Sequence, residues 1–166
     1  MAEALLISRA DIVKHTAMNG NIDSDKFIQF ILIAQSIHIE AYTGTNLLNK
    51  LKADIVANTL SGNYITLVNT YLKPMLIHWA MVEYLPFAAY MIANGGIYKK
   101  GAENSEIASK VEVDFLIEKE RSIAESYSSR FDSYMTYHQA LFPEYTSNSS
   151  ENIYPKHSTN IGGWKL

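Results

Sequence analysis

The stretch from Tyr64 to Ala93 constrains this chain more than any other, because it is strongly apolar and yet contains Pro74 and Pro86. It is too long for a strand, and a helix this apolar has to be covered on several sides. The two prolines predict two or three helical pieces with kinks or breaks between them. The nineteen residues 75–93 match the length of a membrane span. His78, Glu83 and Pro86 lie in its middle, however, and a carboxylate in lipid costs about 2.5–3.5 kcal/mol. With no basic flank either, the segment reads as a buried core helix, and no membrane partner is expected.

The flanking sequence is helical as well. Ser8 and Asp11 have capping-box spacing and start a short helix that ends near Thr16. Asn19-Gly20-Asn21 breaks the chain, and Asp23 and Asp25 favour a new helix start. Phe27, Phe30, Ile31, Ala34, Ile37 and Ala41 then recur at helical spacing, while Ile28, Leu32 and Ile39 widen the stripe beyond one face. Gly44 is placed to cap that helix. A third helix from about Asn46 turns Leu47, Leu48, Leu51, Ile55 and Val56 inward and stops at Ser61-Gly62-Asn63. The last long helix, about 109–141, has Val111, Phe115, Ile123, Tyr127, Phe131, Tyr134 and Leu141 as inner positions. No run of strands is long enough to build a sheet. The expected fold is all-α: a bundle of about five helices with long second and last members and an extended C-terminal arm. Residues 1–142 form the helical domain and 143–166 the arm.

Chemistry finds little foothold. Cysteine is absent, which removes disulfides, thiolate metal sites and cysteine nucleophiles. His38 and Glu40 are two apart and His78 and Glu83 five apart, and neither spacing puts both side chains on one helix face. No Glu-x-x-His occurs, so no metal is expected. Gly44-Thr45-Asn46-Leu47-Leu48-Asn49-Lys50 lacks the second glycine and the Gly-Lys-Ser/Thr ending of a phosphate loop. No Gly-x-Ser-x-Gly elbow is present. The chain is therefore expected to be non-enzymatic and to need no cofactor. A net charge of −3 without any Lys/Arg run argues against a dedicated nucleic-acid binder. Residues 1–10 lack the basic start and apolar core of a secretory signal, so export is not expected.

What remains is protein binding. After Phe142-Pro143 the sequence becomes rich in Ser and Asn and loses helical period, yet it carries Tyr145, Ile153, Tyr154, Ile161, Trp164 and Leu166. A purely solvated tail rarely holds so many large apolar residues. Eleven tyrosines against six phenylalanines add a mild interface signature. Closed rings need two different apolar patches per subunit. The candidates are the over-wide stripe of the second helix, with Phe30 and Ile39, and the arm, with Tyr145, Tyr154, Trp164 and Leu166. Deleting residues 145–166 is expected to leave the fold intact and to abolish assembly.

Leu6-Ile7-Ser8-Arg9-Ala10-Asp11-Ile12-Val13-Lys14 resembles the short first helix of tailed-bacteriophage head–tail connector (adaptor) proteins. Asp25-Lys26-Phe27-Ile28 and Ala34-Gln35-Ser36-Ile37 resemble their second helix. Tyr42-Thr43-Gly44-Thr45-Asn46-Leu47-Leu48 resembles the Tyr-x-Gly-x-x-Leu corner that follows. Lys73-Pro74-Met75-Leu76-Ile77-His78-Trp79-Ala80 and Gly163-Trp164-Lys165-Leu166 are similar to versions from phages of Bacteroidetes hosts, the crAss-like group among them. The resemblance implies a structural virion protein, made in the host cytoplasm and located in the neck. It would form a homo-oligomeric ring of about twelve copies, with the portal protein on one side and a further neck or tail ring protein on the other. Genomic DNA would pass through as non-specific cargo. A small helical regulator that binds its partner as a dimer has the same sequence features without a closed ring.

Overall fold

The computed structural model describes residues 4–17, 24–88, 90–93, 96–99 and 108–156 of the chain. Six helices carry the fold, which is all-α. They are α1 (Arg9–His15), α2 (24–43), α3 (Thr45–Ala57), α4 (63–88), α5 (Lys110–His138, with a 3₁₀ turn Gln139–Leu141) and α6 (Pro143–Thr146). A two-stranded antiparallel hairpin, β1 (Tyr90–Ala93) and β2 (Gly96–Lys99), joins α4 to α5.

The apolar segment becomes the central helix. α4 packs between α2 and α5, and Met75, Leu76, Ile77, Trp79, Ala80, Met81 and Val82 are all buried. It does not break at Pro74 as expected. Residues Leu67–Leu72 form a π-turn instead, and the N–H of Lys73 reaches back five residues to the Val68 carbonyl. A widened turn just before the proline changes the register in which its missing N–H and its ring meet the preceding turn. Pro86 lies in the last turns, where it is exposed and the helix is about to end. The helix ends at Ala88, five residues before the expected boundary at Ala93, because Tyr90–Ala93 pairs as a strand with Gly96–Lys99. Asn94-Gly95, the dipeptide between the paired Ala93 and Gly96, is a strong sequence signal for a two-residue hairpin.

Trp79 ties the three long helices together. Its indole stacks on His38 of α2 (centroids 3.8 Å, 7° between planes) and donates from Nε1 to Ser128 Oγ of α5 at 3.1 Å. His38 is also hydrogen-bonded to Glu83 at 2.8 Å, and His78 to Glu120 at 2.6 Å while stacked on Tyr127. Both His–Glu contacts span two helices and pin α4 to α2 and to α5. Among the described residues no buried side-chain nitrogen or oxygen lacks a hydrogen-bond partner, as expected for a well-packed interior.

Residues 4–7 form a strap across the bundle. Leu6 and Ile7 are buried, and the amide of Gln35, itself fully buried, accepts from Leu6 N at 3.0 Å and donates to the Ala4 carbonyl at 2.9 Å. Gln35 opens a second π-turn, Gln35–Ile39, in the middle of α2.

Four expected inner positions prove to be outside. Val56 is 67% exposed, Val111 78%, Phe115 68% and Leu141 44%. Helical period identifies a face but not whether a partner covers it: α3 ends one residue after Val56, and residues 110–116 at the start of α5 are exposed apart from Val113. The expected boundary at residue 142 also moves. Phe142 and Tyr145 are buried in the common core, so residues 143–156 belong to the helical body.

Candidate interaction site

Helices α2 and α3 meet at Gly44, and the bonds that the corner cannot make for itself come from the far end of the chain. A helix end leaves carbonyls without partners, and a helix start leaves N–H groups without partners. Here the Ala41 carbonyl accepts from Lys156 N at 2.8 Å, and Thr45 N donates to the Ile153 carbonyl at 3.1 Å. Asn46 N donates to Asn148 Oδ1 at 3.1 Å. Asn46 Nδ2 donates to the Ser147 carbonyl, and Asn152 Nδ2 donates to Asn46 Oδ1. Ile153 N donates in return to Thr45 Oγ1 at 2.9 Å. Residues 147–156 therefore cap two helices at once.

Gly44 is what lets them approach. Its φ of 75° and ψ of 160° belong to a region that is essentially glycine-only. A Cβ there would also stand 2.9 Å from both Asn148 Nδ2 and Pro155 Cδ. The expected glycine cap is thus present, with a backbone other than the left-handed helical one.

Below the corner, Tyr64 donates to Glu144 Oε2 at 2.7 Å and meets Phe142 edge-on. Burial, together with the neighbouring Glu144 carboxylate, pushes the Tyr64 hydroxyl up to about 12. Burial, aided by Asp132, pushes Tyr145 up to about 12 as well.

The six residues expected at interfaces fall into three groups. Phe30, Ile39 and Tyr145 are buried within the chain (6%, 0% and 3% exposed), so their side chains are used by its own core. Phe30 packs on Phe27, Tyr84 and Phe87, and Tyr145 anchors the capping segment. Tyr154 is 58% exposed, with its hydroxyl donating to the Asn148 carbonyl. Trp164 and Leu166 lie outside the described residues.

Other apolar positions are open. On α2, Ile28 and Ile37 of the wide stripe read from the sequence are exposed, and so is Ile33, which that stripe did not include. On α5 they are Val111, Phe115 and Leu116, in the same region as Phe87, Tyr90 and Ile97 at the α4–hairpin end. The antiparallel register supports that grouping: His78 pairs with Glu120 and Tyr71 stacks on Tyr134, which brings Phe87 level with residues 111–118. Among the described residues no group of His, Asp and Glu could hold a metal ion, and no helix is long and apolar enough to cross a membrane.

Fold and site together define an all-α protein built around a helix corner capped by its own distant segment, with open apolar surface on two flanks. The chain belongs to DUF6712, a family of unknown function, which it matches over residues 39–154. That span runs from the end of the α2 π-turn into the capping segment and takes in the corner and all of that segment except Pro155 and Lys156. No curated protein and no solved structure matches the chain.

Proposed function

We propose that this chain is a structural, non-enzymatic virion protein: a subunit of a head–tail connector ring that joins a phage portal to the tail and lets DNA pass. The sequence resemblance to connector proteins supplies the identity of the assembly. The observation that carries the binding role is the uncovered apolar face Val111–Phe115–Leu116 on α5, together with the exposed Ile33 and Ile37 of α2. Soluble chains rarely leave several large apolar side chains together in water unless a partner covers them. Two unlike faces on different helices suit head-to-tail contacts between identical copies, which close into a ring when the rotation allows.

In this reading the ring's own contacts use the α5 face against the α2 flank of the next copy. The portal protein and a further neck or tail ring protein bind above and below, and DNA is non-specific cargo in the channel. The slight negative charge suits a channel that does not grip its cargo. The test is the mass distribution of the purified protein across a concentration series, alone and with a portal protein. A dimer that never grows would favour the regulator reading instead.

A further inference from the structure

We infer that the cleft under residues 4–7 is a peptide seat that the chain fills with its own N-terminal segment, and that the same segment of a second copy can fill it in exchange. The seat is defined by its clasp. Gln35 is fully buried, and its amide holds the strap at two points: Oε1 accepts from Leu6 N at 3.0 Å, and Nε2 donates to the Ala4 carbonyl at 2.9 Å. Both bonds go to main-chain atoms, so the clasp grips a segment regardless of which copy supplies it. An empty seat would strip a buried amide of both partners, which is costly. The cleft therefore calls for an occupant.

Side-chain fit supplies the selectivity. Leu6 and Ile7 are each 3% exposed, and both join the common core. Consecutive side chains leave the main chain in different directions, so burying both takes a cleft with two walls, where a flat face would cover one. The chemistry of the occupant can be read from the one in place. It is a main-chain amide with two branched apolar side chains, followed by the capping box of Ser8 and Asp11.

Little else holds the segment down. α1 has seven residues and buries Ile12, while Arg9, Ala10, Lys14 and His15 are exposed. A helix this short does not persist in water by itself. Strap and α1 therefore come away together, at a lower cost than unfolding the bundle. Residues 4–15 of a second copy would make the same contacts in the vacated seat, because the sequence is the same. While copies are apart the chain's own segment wins, since its covalent link holds it at an effective concentration on the order of millimolar. Copies held side by side in an assembly reach comparable local concentrations, and there exchange joins neighbours.

Two full-length variants test the exchange. Leu6→Asp/Ile7→Asp spoils the segment and keeps the seat, whereas Gln35→Ala weakens the seat and keeps the segment. Mixed in equal amounts, they should form a one-to-one complex, read by native mass spectrometry in several-fold excess over the dimer of either variant alone. No complex in the mixture, or as much dimer with either variant by itself, would overturn the inference. A measurement on the unchanged protein covers the case of a variant that fails to fold. Hydrogen exchange at the Leu6 and Ile12 amides should run several-fold faster than at the buried Leu76 of α4, because the segment opens first. Equal rates would mean that it opens only with the whole bundle, and the seat would then not be exchangeable. Neither readout depends on ring formation, so a failure here is distinct from a failure of the connector reading.

Discussion

The backbone N–H of Lys156 closes on the carbonyl of Ala41 at 2.8 Å, so the last turn of α2 is finished by a residue more than a hundred positions away. This bond and its neighbours at Thr45 and Asn46 make the α2–α3 corner depend on the end of the described chain. It follows that the useful place to cut is after Lys156 and not before Tyr145. Truncation after residue 144 is expected to lose the buried Tyr145 ring, a cost of about 3–5 kcal/mol for a large aromatic, as well as the corner caps. Truncation after residue 156 keeps Tyr145 and every one of the corner bonds and should therefore cost less than truncation after residue 144. Thermal unfolding followed by circular dichroism separates the two, and a residue-144 truncation as stable as the full chain would contradict the capping role. Deleting residues 145–166, expected from the sequence to leave the fold intact and to abolish assembly, would remove the buried Tyr145 ring and the corner caps as well.

Gly44→Ala should destabilise more than Gly62→Ala. Both glycines have positive φ, at 75° and 55°, and backbone strain there is worth about 1–3 kcal/mol. Only at Gly44 would the new methyl group also press on Asn148 and Pro155, whereas nothing stands within 4 Å of it at Gly62. Urea midpoints measured side by side check the order, and equal losses would show that the clamp gives way freely.

His38→Ala removes a stacking partner from Trp79 and leaves Glu83 without its contact, both at the α2–α4 seam. A loss of about 1–3 kcal/mol is expected, and Glu83→Gln, which keeps a hydrogen-bonding group, should lose less. Chemical unfolding gives both values.

Tyr64 and Tyr145 predict an alkaline effect. Their hydroxyls titrate near 12 in the folded chain against an ordinary 10.0. A raised folded value means that the stability tied to the protonated form is complete below about pH 10 and is lost as the pH climbs through about 12. The stability advantage of the native chain over Tyr64→Phe/Tyr145→Phe should therefore shrink between those limits, as read from urea midpoints at stepped pH. A constant difference would contradict the assignment.

Much of the fold was legible in the sequence because its signals are local. Ser8 and Asp11 form the expected capping box, and α1 ends beside Thr16 as read. Gly44 ends α2, and the stretch containing Pro74 is the buried central helix. Signals that need a partner were not legible. The clamp joins Asn46 to Asn148 and Asn152 across more than a hundred residues, and a Ser/Asn-rich tail gives no hint of which corner it caps. Gln35 looks like an ordinary polar residue on an apolar helix until the strap it holds is seen. Periodicity marked Val111 and Phe115 as inner because it cannot tell a core from a surface awaiting a neighbour. The interface candidates failed in the opposite sense: Phe30, Ile39 and Tyr145 were attractive for being large and apolar, and the core claims them for the same reason.

Val111→Asp/Phe115→Asp changes two exposed positions and should leave folding stability within roughly 0.5 kcal/mol of native. If the α5 face joins copies, the same change should abolish association. Circular dichroism and light scattering on one sample report both.

The most direct test of the connector reading is native mass spectrometry of the full chain across a concentration series, with and without a portal protein. The account predicts a closed species of about a dozen 18.7 kDa subunits, formed alone or on the portal and absent in Val111→Asp/Phe115→Asp. A dimer that never grows, or a monomer that ignores the portal at every concentration, would contradict it.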